Sequence, residues 1–281
     1  MSTDHYAEVS YYGGLADGTP CWLEIATPDP DATMRFYGSI FGWEFEESAD
    51  TAGAPYTIAT LFGEPVCGIV EATGPILDWT LYLATSQLDW AQNEAVRFGG
   101  AIIGGTQQLP GVGIKVLFDD AGGSTVGLCQ PAADWSFTAG LPGTLVWAEL
   151  LTRKATLADR FFHRLFGFEQ RQFGDSRTMD YMVWYAGNES VIGRVRMAED
   201  TSAQVLPRWI VHFAVDPDVG FENTLNAARQ AGARLRSKPY RSSLGKVAVL
   251  RDPLDTRFAI IDPSLADTWE HHSGADDPYD D

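Results

Sequence analysis

The sequence contains a long internal repeat. Residues 21–42, CWLEIATPDPDATMRFYGSIFG, recur as VWAELLTRKATLADRFFHRLFG at residues 146–167, and the same offset continues without a gap past Tyr56 and Tyr181. Duplicated sequence folds into duplicated structure, and the two copies commonly bury matching faces against each other. The repeat therefore predicts two similar halves related by a pseudo-twofold axis.

The repeat also predicts how the 281 residues are divided. We expect a first domain over residues 1–135, a second domain over residues 136–265 and an acidic tail over residues 266–281. The join lies in the segment PAADWSFTAGLPGT. The tail is polar as well as acidic, which is typical of loosely ordered termini.

Each half shows a strand, a helix and several strands, in that order and twice over. Residues 22–26 suit a short strand that ends before Pro28, and Asp29 can cap a helix that Gly42 ends. The other elements expected in the first half are strands at 55–62, 66–71, 78–84, 101–108, 113–119 and 124–130 and a helix at 88–98. The pattern predicts an α+β fold of four β-α-β-β-β units.

The charge of the chain limits its partners. The formal net charge is −18, whereas a nucleic-acid-binding protein needs a basic surface to neutralise phosphates, so nucleic acid is excluded. Residues 1–135 hold eighteen acidic side chains against three basic ones, Arg35, Arg97 and Lys115. This acidity serves solubility or, alternatively, concentrates a cationic ligand.

The composition indicates a globular protein, since 45% of the residues are hydrophobic and 21% are charged. No apolar run approaches the roughly 18 residues of a membrane span, and the polar start MSTDHYAEVS lacks the layout of a signal peptide. We therefore expect a cytoplasmic protein that binds no membrane. Cys21, Cys67 and Cys129 lack CxxC spacing, which predicts reduced core thiols rather than disulfides or a zinc module.

Three motifs carry a family resemblance: WLEIATPDPDATMRFYGSIFGWEF, FDDAGGSTVGLCQP and LRDPLDTRFAIIDP. Together with the repeat, they resemble the vicinal oxygen chelate superfamily, which includes glyoxalase I, bleomycin resistance proteins, fosfomycin resistance enzymes and extradiol dioxygenases. The resemblance covers about residues 18–265 and is closest to an actinobacterial tandem-domain subgroup. It implies tandem glyoxalase-like domains, each closing two β-α-β-β-β units into a cup-shaped mixed sheet.

In metal-dependent members, the resemblance implies a divalent ion held in the cup by a His on the first strand of each unit and a Glu on the last strand. The matching positions are Trp22, Trp79 and Gly127 in the first half and Trp147, Trp209 and Ala259 in the second. Indole nitrogen only donates hydrogen bonds, and Gly and Ala have no ligand atom. We therefore expect no metal and no other cofactor.

The histidines offer no replacement cluster. They are His5, His163, His212, His271 and His272, and they are scattered along the chain. His212 lies three residues after Trp209, so it should point away from the face that carries Trp209, as a packed core residue.

If the former ligand positions face the cups, tryptophans line two cavities beside two carboxylates. The predicted ligand-binding residues are Trp22, Trp79, Trp147, Trp209, Glu24 and Glu149. Aromatic walls with a few polar groups suit a flat or polycyclic ligand. The alternative is that the indoles fill the cups and leave an interface protein.

The candidate catalytic residues are Glu24, Glu149, Tyr56 and Tyr181. A carboxylate on an apolar strand could act as a general base, or it could hold Arg35, Arg160 or a backbone amide as a structural contact. The tyrosines could donate to a carbonyl ligand or pack in the core. No GxSxG elbow, P-loop or GxGxxG motif is present in the sequence.

These observations predict a metal-free small-molecule binding protein of the glyoxalase and bleomycin resistance type. Its ligand would be an aromatic or polycyclic metabolite or antibiotic, bound for biosynthesis or self-resistance. The alternative is a metal-independent lyase, cyclase or hydrolase acting on such a metabolite. The chain is expected to be a monomer with an internal pseudo-twofold, or a weak homodimer.

Overall fold

The computed structural model describes residues 15–73, 77–173 and 179–266. The first half contains β1 (Pro20–Thr27), α1 (Pro30–Phe41), β2 (Glu44–Ala49), β3 (Pro55–Leu61), β4 (Glu64–Glu71), β5 (Trp79–Ala84), α2 (Leu88–Arg97), β6 (Ala101–Leu109), β7 (Gly113–Asp119) and β8 (Thr125–Pro131). The second half contains β9 (Leu145–Thr152), α3 (Ala155–Phe166), β10 (Glu169–Phe173), β11 (Tyr181–Ala186), β12 (Glu189–Arg196), β13 (Arg208–Ala214), α4 (Phe221–Gln230), β14 (Arg234–Leu235), β15 (Tyr240–Ser242), β16 (Gly245–Arg251) and β17 (Arg257–Asp262), followed by a 3₁₀ turn.

Each half forms one curled mixed sheet with the same strand order. The first sheet runs β2-β3-β4-β1-β5-β8-β7-β6, and the second runs β10-β11-β12-β9-β13-β17-β16-β14, with β15 paired to β16. In both sheets the two central strands are antiparallel, and each also pairs in parallel with the last strand of its own unit. The predicted α+β fold, with a curled mixed sheet of two β-α-β-β-β units in each half, is confirmed.

The local sequence explains where the first helix begins and ends. The Asp29 carboxylate accepts a hydrogen bond from the Ala32 backbone N–H at 2.9 Å, and Pro30 occupies the first turn. Gly42 ends the helix at φ 73°, in the left-handed region that favours glycine. The sequence did not locate β2, whose segment EFEESA is largely exposed and therefore lacks a buried apolar pattern.

The two halves share one aromatic core. Tyr37 on α1 packs against Phe258 of the second half, with ring centroids 5.4 Å apart, and Trp79 packs against Phe213 at 5.3 Å. The Trp43 indole also donates a hydrogen bond to the Gly143 carbonyl at 2.8 Å. This packing joins the convex faces of the sheets and their helices, and it leaves the opposite faces to form two separate cups.

Several sequence-based expectations concern the borders and ends of the chain. The domain borders at 135/136 and 265/266 stay a prediction, and the tail from residue 267 onward lies outside the described residues, together with His5, His271 and His272. Cys21, Cys67 and Cys129 are buried free thiols. Within the described part of the chain, none of the helices has the length and apolar character to span a bilayer.

Candidate functional site

A buried polar network lies at the centre of the first cup. The Glu24 carboxylate accepts hydrogen bonds from the Tyr56 hydroxyl at 2.8 Å, from the Tyr82 hydroxyl at 3.2 Å and from the Lys115 ammonium. The Trp22 indole N–H donates to the Tyr56 hydroxyl at 2.9 Å. The curl of the sheet makes this possible, because it brings β3 and β7 together over the central strands.

The Lys115 ammonium is enclosed by aromatic rings. Its nitrogen lies 5.1 Å from the ring centroids of both Tyr56 and Tyr82, and only 3% of the side chain is exposed. Burial, together with the negative charge of Glu24, raises the pKa of both tyrosines well above the usual value. The two phenols therefore stay protonated and act as donors to Glu24.

Two glycines make room for these tyrosine rings. A Cβ atom at Gly68 would lie 1.7 Å from the Tyr56 hydroxyl, and one at Gly127 would lie 2.0 Å from the Tyr82 ring. No side chain fits at either position while the rings stay in place. The glycine at position 127 is thus the steric counterpart of Tyr82, and a glutamate there is incompatible with this packing.

The second cup repeats part of the network. The Trp147 indole donates to the Tyr181 hydroxyl at 2.9 Å, and that hydroxyl donates to Glu149 at 2.7 Å. The Nε2 atom of His212 lies 3.6 Å from the same carboxylate. Burial lowers the pKa of His212 below its usual value, a shift that the charge of Glu149 partly opposes, so the imidazole is neutral at pH 7.

Valine stands at the position of Lys115 in the second sheet. Lys115 pairs with Cys129 on β8, and the corresponding pair in the second sheet is Val247 and Ile261. Val247 belongs to an apolar cluster that fills this cup and includes Trp147, Leu151, Tyr181, Val183, Ile210, Val249 and Ala259. The two cups therefore share a fold but differ in the residue at this position.

The expectation that four tryptophans face the cups is wrong for two of them. Across β1 and β5, Trp79 lies opposite Ile25 on the convex face, and its indole donates to the Tyr37 hydroxyl at 3.1 Å. Trp209 likewise packs against Phe162 on the convex face, with centroids 6.0 Å apart. Side chains alternate along a strand, so choosing the wrong residue as inward-facing moves every side chain to the other face.

The same error in strand orientation concealed two residues of the cups. Tyr82 lies opposite Trp22, and His212 lies opposite Trp147, so both occupy cup faces. His212 does point away from the Trp209 face, as expected, and that direction places it beside Glu149. The spacing from Trp79 to Tyr82 and from Trp209 to His212 was the available signal. No local signal identified Lys115.

The proposed contacts of Glu24 and Glu149 with arginines are also wrong. Arg35 and Arg160 are exposed on the helices, whereas both carboxylates are buried and find their partners inside the cups. The structure brings Trp22, Glu24 and Tyr56 together in one cup, and the matching Trp147, Glu149 and Tyr181 together in the other.

The donors in the cups do not fit a divalent metal ion. The first cup offers Glu24, which is already paired with the Lys115 ammonium, and the second offers Glu149 and His212. A protein zinc site needs at least three converging nitrogen, oxygen or sulfur ligands. Among residues 15–73, 77–173 and 179–266, no group of three His, Cys, Asp or Glu side chains is placed to hold an ion.

The first half contains two concave spaces that meet at Pro55 and Tyr56. A recess of about 50 Å³ opens at the mouth of the first cup, and its walls include Tyr56, Lys115, Asp50 and Leu109. A groove of about 840 Å³ lies beside the start of α1. Its apolar lining comprises Pro28, Pro30, Met34, Phe45, Pro55 and Ile69, and its acidic residues are Asp29, Asp31, Glu47 and Glu71.

The equivalent place in the second half is filled by an ion-pair network. By the repeat, Met34 corresponds to Asp159 and Ile69 to Arg194. The Arg194 side chain is 1% exposed and donates to Asp159 at 2.8 Å and to Asp180 at 2.7 Å. The first half has its groove at the corresponding place, where the repeat carries Met34 and Ile69 instead of this buried ion pair.

Comparison with known proteins identifies the family. No protein-family model matches the chain. CFP32 of Mycobacterium tuberculosis, which is named a glyoxylase, is 32% identical over 257 residues that cover 88% of this chain and 95% of that protein. The anthracycline biosynthesis protein DnrV of Streptomyces peucetius is 26% identical over 266 residues, covering 88% of this chain and 94% of DnrV.

Solved structures agree in fold. The Mn(II)-bound glyoxalase from Novosphingobium aromaticivorans has a TM-score of 0.63 at 16% identity, covering 90% of this chain and 87% of that one. The 2,3-dioxygenase LapB from Pseudomonas sp. KL28 has a TM-score of 0.61 at 16% identity, covering 88% of this chain and 93% of LapB. The chain therefore belongs to the vicinal oxygen chelate superfamily, as a tandem glyoxalase-like protein.

Proposed function

We propose that the protein binds an aromatic or polycyclic metabolite of secondary metabolism without a metal ion, and that the groove of the first half holds this ligand. The asymmetry between the halves carries the proposal, because the first half has an open groove with apolar and acidic side chains where the second half buries Arg194. The name of DnrV, an anthracycline biosynthesis protein matched over 94% of its length, supports the polycyclic class of ligand.

The groove has the size and chemistry for such a ligand. Small-molecule sites commonly measure about 300–1,000 Å³, and this groove, which is open to solvent, measures about 840 Å³. Burial of ~250 Å² of apolar ligand surface contributes about 6 kcal/mol, from which association costs of several kcal/mol are subtracted. Micromolar affinity therefore needs a polar contribution, and the carboxylates of Glu47 and Glu71 supply one to a cationic substituent.

The proposed ligand site lies outside the cups. Trp22 is fully buried and Trp147 is 9% exposed, so neither indole presents a free stacking face. Trp79 and Trp209 belong to the core between the sheets and helices. In the first half, Met34 and Phe45 are partly exposed and lie on the groove instead.

Fluorescence anisotropy of an anthracycline titrated with the protein tests the proposal. The double variant Met34→Asp/Ile69→Arg transplants the second half's ion pair into the groove and should weaken binding at least ~10-fold, a loss of about 1.4 kcal/mol. Leu157→Arg is the matched control, because it adds a cation at an exposed position on α3. Unchanged affinity in the double variant, or no saturable binding by the wild type, overturns the proposal.

A second candidate function is metal-independent catalysis by a lyase, cyclase or hydrolase. The observation in its favour is the Glu24 carboxylate, held by Lys115 and by two tyrosine hydroxyls beside the recess. Incubation of a candidate polycyclic substrate with the protein and a chelator discriminates the two functions. Product formation that is lost in Glu24→Gln favours the enzyme, whereas an unchanged compound recovered from the complex favours the binding protein.

A further inference from the structure

The recess above the first cup contains a buried cation that has spare hydrogen-bond donors within the described part of the chain. An ammonium group has three N–H donors. Among the residues that the structure describes, Lys115 has one oxygen acceptor, Glu24, while the faces of Tyr56 and Tyr82 lie on other sides of the nitrogen. Lys115 is 3% exposed and also lines the recess, so an acceptor placed there would meet a donor that is already desolvated.

The fold does not require a lysine at this position. Val247 occupies the corresponding register of the second sheet and packs in an apolar cluster. A buried ion pair is commonly no more stabilising than apolar residues of similar volume, because desolvation of the charges offsets their attraction. The Lys115–Glu24 pair is therefore better explained by recognition than by stability.

The charges around the recess favour a neutral oxygen over an anion. Glu24 balances the formal charge of Lys115, and Asp50 on the wall adds a negative charge that an anionic group would approach. Asp50 already accepts hydrogen bonds from the backbone N–H groups of Ala52 and Ala54, at 2.9 and 2.8 Å. A carbonyl oxygen accepts a hydrogen bond from the ammonium without bringing a second negative charge.

We propose that the recess is a binding site for a ketone or quinone carbonyl group, with Lys115 as the hydrogen-bond donor and Glu24 and Tyr56 as residues that position it. The volume of about 50 Å³ admits a carbonyl group and its nearest carbon atoms. Val70 and Leu109 on the walls provide apolar contacts for those carbons. This site is distinct from the groove. It lies on the cup face, and it recognises a hydrogen-bond acceptor rather than an aromatic surface.

Three matched aromatic probes test this site: acetophenone, which has a carbonyl, ethylbenzene, which has no acceptor, and benzoate, which is an anion. The readout is the ¹⁵N–¹H resonance of the Trp22 indole, whose N–H donates to Tyr56 next to Lys115. Acetophenone should shift this resonance saturably and bind at least ~5-fold more tightly than either other probe, about 1 kcal/mol. Equal binding of acetophenone and ethylbenzene, or tighter binding of benzoate, overturns the proposal.

Variants separate the recess from the groove. Lys115→Met should remove the preference for acetophenone, whereas Arg97→Met, which deletes an exposed cation of the same half, should preserve it. Glu24→Gln/Lys115→Met removes both charges and replaces Lys115→Met in this test if the single variant does not fold. The groove variant Met34→Asp/Ile69→Arg should keep the acetophenone response. The recess can therefore be tested even if the groove does not bind the proposed ligand. A preference for acetophenone that persists without Lys115 overturns the proposal.

Discussion

The Tyr37 hydroxyl donates a hydrogen bond to the Asp252 carboxylate at 3.3 Å, and this contact joins the first half of the chain to the second. The same hydroxyl accepts a hydrogen bond from the Trp79 indole at 3.1 Å. Burial, followed by the charge of Asp252, raises the pKa of Tyr37 well above its usual value, so the hydroxyl keeps its proton. Tyr37 therefore satisfies two buried polar groups at once.

Phe162 stands at the position of Tyr37 in the second half, and it has no hydroxyl. The matching groups, the Trp209 indole N–H and one carboxylate oxygen of Asp120, are buried without a hydrogen-bond partner among the described residues. Phe162→Tyr should therefore raise the free energy of unfolding by about 1–2 kcal/mol, and Tyr37→Phe should lower it by about 1–3 kcal/mol. Urea denaturation followed by tryptophan emission measures both. A loss of stability in Phe162→Tyr would contradict the prediction.

Asp120 should make stability depend on pH. Burial raises its pKa from 3.8 to about 6, although the backbone N–H groups of Ser124 and Gly122 lower it in part. Because the folded-state pKa lies above the unfolded value, this contribution to stability is present below pH ~4 and is lost as the pH rises through about 6. The free energy of unfolding of Asp120→Asn, relative to that of the wild type, should rise by about 1–3 kcal/mol between pH 4.5 and pH 7.5.

Urea denaturation at three pH values measures this change. The Asp134→Asn variant is the control, because it removes a carboxylate at an exposed position. If Asp120→Asn and Asp134→Asn respond alike between pH 4.5 and pH 7.5, burial of Asp120 is not the cause of the effect.

The Lys115–Glu24 pair should behave as a coupled unit in stability measurements. Glu24→Gln leaves the Lys115 ammonium buried without its counter-charge, which should lower the free energy of unfolding by about 3–5 kcal/mol. Glu24→Gln/Lys115→Met should recover at least ~1 kcal/mol of this loss, since neither charge then remains. A double-mutant cycle by chemical denaturation gives the coupling energy. Additive losses would contradict a direct interaction.

Trp22 should matter for stability and not for ligand affinity. Its indole is fully buried and donates to the Tyr56 hydroxyl, but it does not line the groove. Trp22→Phe should lower the free energy of unfolding by about 1–3 kcal/mol through the lost hydrogen bond and altered packing. Anthracycline affinity should stay within about twofold of the wild type, since a ΔΔG below ~0.4 kcal/mol corresponds to that range. A tenfold loss of affinity would place the ligand in the cup.

Tag-free protein should contain no stoichiometric metal. The cups offer one carboxylate paired with an ammonium, and one carboxylate beside a neutral imidazole. Divalent transition metals require more converging donors than either arrangement supplies. Elemental analysis by mass spectrometry checks this expectation. About one ion per chain that is lost in Glu149→Gln would show that the second cup binds metal.

The face of β5 that lines the cup could not be read from the local pattern. All six residues of β5 are buried, and so are six of the seven in β13, because one face packs in the cup and the other packs against helices and the second sheet. Alternation of apolar and polar residues indicates which side chains face the cup only when the other face of the sheet is exposed to solvent. The pattern therefore does not distinguish Trp79 from Tyr82, which is the residue that reaches the cup.

Local sequence alone determined the repeat, the four units, the family and the loss of the metal-ligand pattern, because these depend on residue identity and spacing along the chain. Only the tertiary structure joined Glu24 to Lys115, which are far apart in sequence and meet through the curl of the sheet. It also showed that Met34 and Ile69 border an open groove, whereas Asp159 and Arg194, at the equivalent positions of the second half, form a buried ion pair. Such contacts depend on how two surfaces curve toward each other, and neither strand periodicity nor helix periodicity records that curvature.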